Sequence, residues 1–112
     1  MTLREKQSLL VRLLQQLLEF GHSHGYEFTL GDAYRHPLQA QANAAAGIGI
    51  AKSLHCERLA IDLNLFRHGE YLTTTEAYRP LGEYWESLHP EARWGGRFSD
   101  GNHFSVEWQG RK

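Results

Sequence analysis

The segment KSLHCERLAIDLNLF, Lys52 to Phe66, places a carboxylate, Asp62, and an amide, Asn64, inside the apolar run Leu59, Ala60, Ile61, Leu63, Leu65 and Phe66. A carboxylate among so many aliphatic neighbours is costly unless a cation meets it. The period of the stretch is two, so Ile61, Leu63 and Leu65 share one face of a strand and Asp62 and Asn64 the other. The segment HFSVEW repeats the pattern: Phe104, Val106 and Trp108 alternate with His103, Ser105 and Glu107. Laid side by side, the two strands bring Asp62 to His103, and a turn can return His55 over the same groove. Two neutral imidazoles and one carboxylate are the donor set of a catalytic zinc site, with a fourth position open to water. Asp100 lies three residues before His103, in a loop entering the same strand. It is placed to accept a proton without being a ligand, and a positioned base of this kind adds about 10²–10⁴ in rate. The plainer alternative is that Asp62 and Asn64 bond loop amides and the histidines are surface residues.

Other reactive side chains point to simpler roles. Cys56, beside His55, is expected to face away from it, and no His–Asn pairing suggests a thiol nucleophile. As the single cysteine it cannot form an internal disulfide, so packing or a metal must hold the fold, which suits a reducing compartment. His22 and His24 favour the negative end of a first helix, and His36, His68 and His89 belong to solvated loops or helix ends. Trp85 is expected in the core; Trp94 stays open between core wall and groove wall. Gly95 and Gly96 let backbone approach closely there. Glu107 is either a support for the site or an edge carboxylate.

The elements that must position these groups follow from periodicity. Leu9, Leu10, Leu13, Leu14, Leu17 and Leu18 recur at helical spacing and predict an amphipathic helix over about residues 3–20. Thr2 and Glu5 form a capping box at its start and Gly21 a stop. Tyr26 to Arg35 reads as a strand running into a loop. Pro37 opens the short helix PLQAQANAAA, ended by Gly47 and Gly49, and GIGIAKS is a flexible connector. A turn at Arg67–Gly69 leads to a return strand, Glu70–Leu72. A helix runs from Thr74 or Thr75 to Leu88, with Pro80 tolerated or kinking it. ARWGGRFSDGN is a glycine-rich loop before the last strand. This order predicts one α+β domain over 1–112, a small antiparallel sheet with helices packed on one face. The net charge of −1 gives no reason to expect nucleic acid or an anionic membrane as partner. Charged residues interrupt the leucines, so neither a secretion signal nor a membrane span is expected, and synthesis in the cytoplasm as a monomer is the expectation.

SLHCERLAID fits Ser-x-His-x(6)-Asp with alanine two before the Asp, DGNHF fits Asp/Glu-x-x-His, and AYRHPLQAQ is similar to a Tyr-Arg-Ser/Thr-Pro-x-x-Gln segment. Together with the WGGRF loop, these resemble the zinc D-alanyl-D-alanine carboxypeptidase family. It includes bacteriophage L-alanyl-D-glutamate endolysins and is related to the hedgehog signalling domain. The resemblance runs from about Tyr26 to Trp108. It implies a hedgehog/D-Ala-D-Ala-peptidase-like fold and one Zn²⁺ held by His55, Asp62 and His103. It further implies Asp100 as base, Arg35 on a substrate carboxylate or oxyanion, and Ser53 and Gln39 in support. Two departures stand out: Arg58 where the family often has Gly, and His36 where Ser or Thr is usual. The implied activity is cleavage of peptidoglycan stem peptides, first as an L-alanyl-D-glutamate endopeptidase, with D-alanyl-D-alanine carboxypeptidase as the alternative. Action on the wall would follow release from the cytoplasm through a holin-type lesion. Two other classes compete. A non-catalytic, zinc-stabilised wall- or partner-binding domain would be expected to lack the base. A His–metal nuclease would be expected to carry a basic stripe.

Overall fold

In the computed structural model, residues 1–47 and 52–112 are described. Helix α1, Leu3–Ser23, starts with the expected box: Thr2 Oγ1 accepts from Glu5 N–H and Glu5 accepts from Thr2 N–H. Its Leu9, Leu10, Leu13 and Leu17 are buried. The helix does not stop at Gly21 but runs through it to His24, and the left-handed residue is Gly25, at φ 82°. Gly21 serves packing instead, since a Cβ there would lie 2.3 Å from the Phe28 ring. Phe28 belongs to strand β1, Tyr26–Leu30.

Helix α2, Pro37–Ala45, is opened by His36, whose Nδ1 accepts from Leu38 N–H at 3.1 Å. The histidine thus performs the capping that a Ser or Thr performs. α2 ends at Ala46 and Gly47; Gly49 and most of the expected GIGIAKS connector lie outside the described residues. A 3-10 turn, Leu54–Glu57, precedes the central strand β2, Ala60–Arg67. His68 and Gly69, both at positive φ, turn the chain into β3, Glu70–Leu72. α3, Thr75–Leu88, is capped by Thr74 and continues past Pro80.

The region read as a glycine-rich loop is more ordered than its composition suggests. Ala92–Trp94 forms β4 and Gly95–Phe98 a 3-10 turn. The last strand, β5, covers only His103–Val106, and Trp108 instead bridges to Arg111. All pairings are antiparallel, in the order β1-β2-β5-β4 with β3 also on β2.

The α1 leucines and Leu81 and Trp85 of α3 pack on Ile61, Leu63, Leu65, Phe104 and Val106. The helix-covered face is therefore the apolar face that the alternation specifies. Ser105, expected on a groove, is fully buried as well. Trp94 joins this core and is not a groove wall: it is fully buried, and Gly82 and Gly96 lie flat against its ring, where a Cβ would come within 2.0 and 2.2 Å. Among the described residues no helix is long and apolar enough to cross a membrane.

Candidate metal centre

The face of the sheet turned away from α1 and α3 carries the polar residues. Asp62 and His103 are direct partners in the β2–β5 register. His55 reaches them from the 3-10 turn, whose first N–H groups are tied down by Ser53: its Oγ accepts from His55 N–H at 3.1 Å. The turn closes at Arg58 in the left-handed conformation, φ 56° and ψ 36°. The position thus keeps the backbone that a glycine adopts readily, and the Arg58 guanidinium stacks over Tyr34 at 4.2 Å.

Backbone bonds hold Asp62 from the other side. Gly31 N–H donates to Asp62 O at 2.8 Å, and Asp62 N–H donates to Asp32 O at 2.9 Å. A side chain at Gly31 would come within 2.9 Å of Asp62 Cβ, so glycine is needed for this approach.

His55 Nε2 lies 3.2 Å and His103 Nδ1 3.5 Å from the same oxygen, Asp62 Oδ1. One donor atom from each of the three residues falls within 4.8 Å of the others. Two ligands bound at about 2.0–2.1 Å to a tetrahedral ion sit roughly 3.3 Å apart, so the spacing matches two edges of such a site. Asp62 Oδ1 is buried and, despite the short distances, has no aligned hydrogen-bond donor among the described residues. An oxygen in that state is placed for an ion shared with the imidazoles. Burial pushes the Asp62 carboxyl pKa up, but His103 and His55 outweigh it and hold it at about 2. The donor set and its spacing therefore fit a metal ion. The outer nitrogens, His55 Nδ1 and His103 Nε2, find no protein partner among the described residues. Packing orients His103, whose ring meets Phe98 edge-on at 5.9 Å.

A cleft of about 720 Å³ opens over these three residues, and Arg35, Ser53, Phe98, Asp100, Asn102 and Lys112 also line it. Asp100 is half exposed, its Oδ2 3.9 Å from His103 Nδ1. Gly95 accepts from its N–H, and its own carbonyl accepts from His103 N–H. Arg35 stands beside the opposite histidine: its N–H donates to His55 O at 3.2 Å, and its guanidinium donates to Asp32 at 3.1 Å.

The other expected supports fall elsewhere. Gln39 is exposed on α2 and bonds Asn43. Trp94 acts from the core, its Nε1–H donating at 2.7 Å to Gly101 O in the loop that carries Asp100. Glu107 pairs with Arg93 at 2.7 Å, as an edge carboxylate away from the cleft. No pattern in the sequence singles out Phe98, Asn102, Lys112 or Asp32 for the cleft or for Arg35. The nearest approach to a signal is Asp32, an acid three residues before an arginine.

The family model described as D-alanyl-D-alanine carboxypeptidase matches residues 46–106, more than half the chain. No curated protein sequence matches it. Among solved structures, the chain is similar in fold to the Serratia marcescens L-Ala D-Glu endopeptidase ChiX. The TM-score is 0.73 at 21% identity, over 88% of this chain and 77% of that one. With its ligand motif inside the matched residues and a site that fits a metal, the chain belongs to the D-alanyl-D-alanine carboxypeptidase family of metallopeptidases.

Proposed function

We propose that the chain is a zinc peptidase of the bacterial cell wall that hydrolyses the L-alanyl-D-glutamate bond of peptidoglycan stem peptides. The observation that carries the hydrolase reading is the buried Asp62 Oδ1, without a donor and equidistant within a few tenths of an ångström from two imidazoles. His55, Asp62 and His103 would hold the ion, which when bound supplies Lewis acidity toward a carbonyl and a more acidic water.

The chain's own residues do the rest. Asp100, at the cleft edge, takes the proton of the attacking water and returns it to the leaving nitrogen. Arg35 offers a guanidinium on the far side of the ligand triad, suited to a substrate carboxylate or to the developing oxyanion. Its partner Asp32 is largely exposed, so a substrate anion can replace it. The similarity to the Serratia endopeptidase supports the choice of bond. The family description supports a second reading, release of terminal D-alanine by a D-alanyl-D-alanine carboxypeptidase. A base in the cleft is what a purely binding domain has no use for.

Digestion of purified peptidoglycan, with mass spectrometry of the new termini, tests the reading. A new N-terminal glutamate is the expected product; free D-alanine establishes the second reading, and no new terminus from the metal-loaded protein rejects both. Asp100→Asn is expected to lower kcat by about 10²–10⁴. A variant that cleaves like the parent removes Asp100 from the role of base.

A further inference from the structure

Residues 107–112 lie beyond the family match and fold back on themselves. Trp108 and Arg111 exchange backbone hydrogen bonds of 3.1 and 2.9 Å, and Gln109 and Gly110 between them have positive φ, 50° and 76°. That is the two-residue turn of a tight hairpin. Both sides of the turn are tied to the segment that carries His55. Trp108 packs on Leu54, Leu59 and Ala60. The Arg111 guanidinium lies 3.5 Å from Glu57 and donates to Lys52 O at 3.4 Å. A tail tied down in this way keeps its place where a free one would fray. It delivers the exposed Lys112 to the wall of the cleft over His55, Asp62 and His103.

Apart from the histidines, Arg35 and Lys112 are the basic groups among the described residues that line this cleft. Arg35 has an acid of its own, Asp32, at 3.1 Å, and the neighbouring Arg111 has Glu57. Lys112 pairs with no carboxylate among the described residues. It is a point charge on a flexible four-carbon stem, able to follow an anion within the cleft.

The proposed substrate brings such an anion. Its leaving glutamyl residue carries a second carboxyl next to the scissile nitrogen, and that nitrogen must reach Asp100, which lines the same cleft. The carboxylate therefore enters the cleft together with the bond. There it meets the like charge of Asp100 unless a cation offsets it. The carboxypeptidase reading has the same need, since a terminal D-alanine leaves with its carboxylate on the carbon bonded to that nitrogen.

We propose that Lys112 is a specificity-determining residue of the cleft, which holds the free carboxylate beside the scissile nitrogen and leaves Arg35 to the developing oxyanion. The inference rests on the peptidase reading above and deepens it.

Two synthetic peptides test it, each containing the L-alanyl-D-glutamate bond and continuing through the glutamyl side chain. The carboxyl beside the scissile nitrogen is free in one and amidated in the other. The metal-loaded wild-type protein is expected to favour the free acid about tenfold in kcat/KM, mainly through KM. Lys112→Gln, at an exposed position, is expected to bring that ratio close to one by raising KM for the acid. Lys112→Arg is expected to keep most of the preference. Arg35→Gln is expected to lower kcat on both peptides and to leave the ratio standing. Equal wild-type rates on the two peptides overturn the proposal, and so does a preference that survives Lys112→Gln. A preference lost in Arg35→Gln and kept in Lys112→Gln gives the carboxylate to Arg35 instead. If the wild type cleaves purified peptidoglycan while the Lys112→Gln ratio stays put, only the role of Lys112 fails. If it cleaves neither peptidoglycan nor peptide, the peptidase reading fails and takes that role with it.

Discussion

Opposing effects meet at Asp62. Burial raises its carboxyl pKa, while the His103 and His55 imidazoles lower it further, to about 2. That is below the unfolded value of about 3.9, so the contribution of Asp62 to stability is complete above that value and is lost as pH falls toward 2. A ligand imidazole must be neutral to hold an ion, so acid opposes metal binding. Below neutrality, the logarithm of the apparent zinc affinity is expected to fall with pH at a slope approaching two protons per ion. Competition against a chromophoric chelator measures it, and a slope near one excludes one of the histidines as a ligand. Asp62→Asn is expected to keep the slope but weaken binding by more than about a hundredfold. At this scale the sequence is informative wherever a strand's alternation fixes the side of the sheet, as for Asp62 and His103. It is silent on Phe98, Asn102 and Lys112, which reach the cleft through the path of loops and tail, and no periodicity encodes that path.

Around Trp94, glycines whose composition suggests a loop are packing positions. ARWGGRFSDGN looks like a flexible loop, yet its glycines are close contacts in a packed corner. Gly96 lies against Trp94, and Gly95 lies beneath the site, where a Cβ would meet Asp100 O at 2.3 Å and His103 Cβ at 2.7 Å. Gly21, too, is a packing position and not the helix stop that its place in the sequence suggests. A three-residue strand such as β4 is too short to show a period, whereas α1, β2, β3 and α3 were legible close to their ends. The corner separates stability from chemistry. Gly82→Ala forces a carbon within 2.0 Å of Trp94 and is expected to cost about 1–3 kcal/mol, with kcat of the folded fraction kept. Gly95→Ala is expected to cost a similar amount and also to lower kcat more than about tenfold, because it displaces both Asp100, the proposed base, and His103, a proposed ligand. Denaturant unfolding combined with active-site titration distinguishes the two. Equal kcat in the two variants would show that the turn under Asp100 is not what positions it.

For the molecule as a whole, the sheet has a clear division of labour. One face is covered by α1 and α3 and holds a contiguous apolar core; the other carries His55, Asp62 and His103, none of which belongs to that core. A domain built this way does not need the ion in order to fold, unlike a small zinc module whose core is the metal. An ion held by His55, Asp62 and His103 would bind only the folded chain, because the three converge only when the 3-10 turn, β2 and β5 are in place. Mass action then adds about 4 kcal/mol at a thousandfold excess over Kd. For a domain of this size, that corresponds to a rise in Tm of roughly 10–20 °C. Chelation is therefore expected to lower Tm by that order and abolish hydrolysis, while far- and near-ultraviolet circular dichroism at 25 °C still report native helix and a rigid environment for Trp85 and Trp94. Restoring zinc should recover Tm and activity together, and in His55→Ala it should recover neither. Should chelation unfold the chain at 25 °C, the ion would be a structural part of the core, and the zinc-stabilised binding domain would become the better account of this fold.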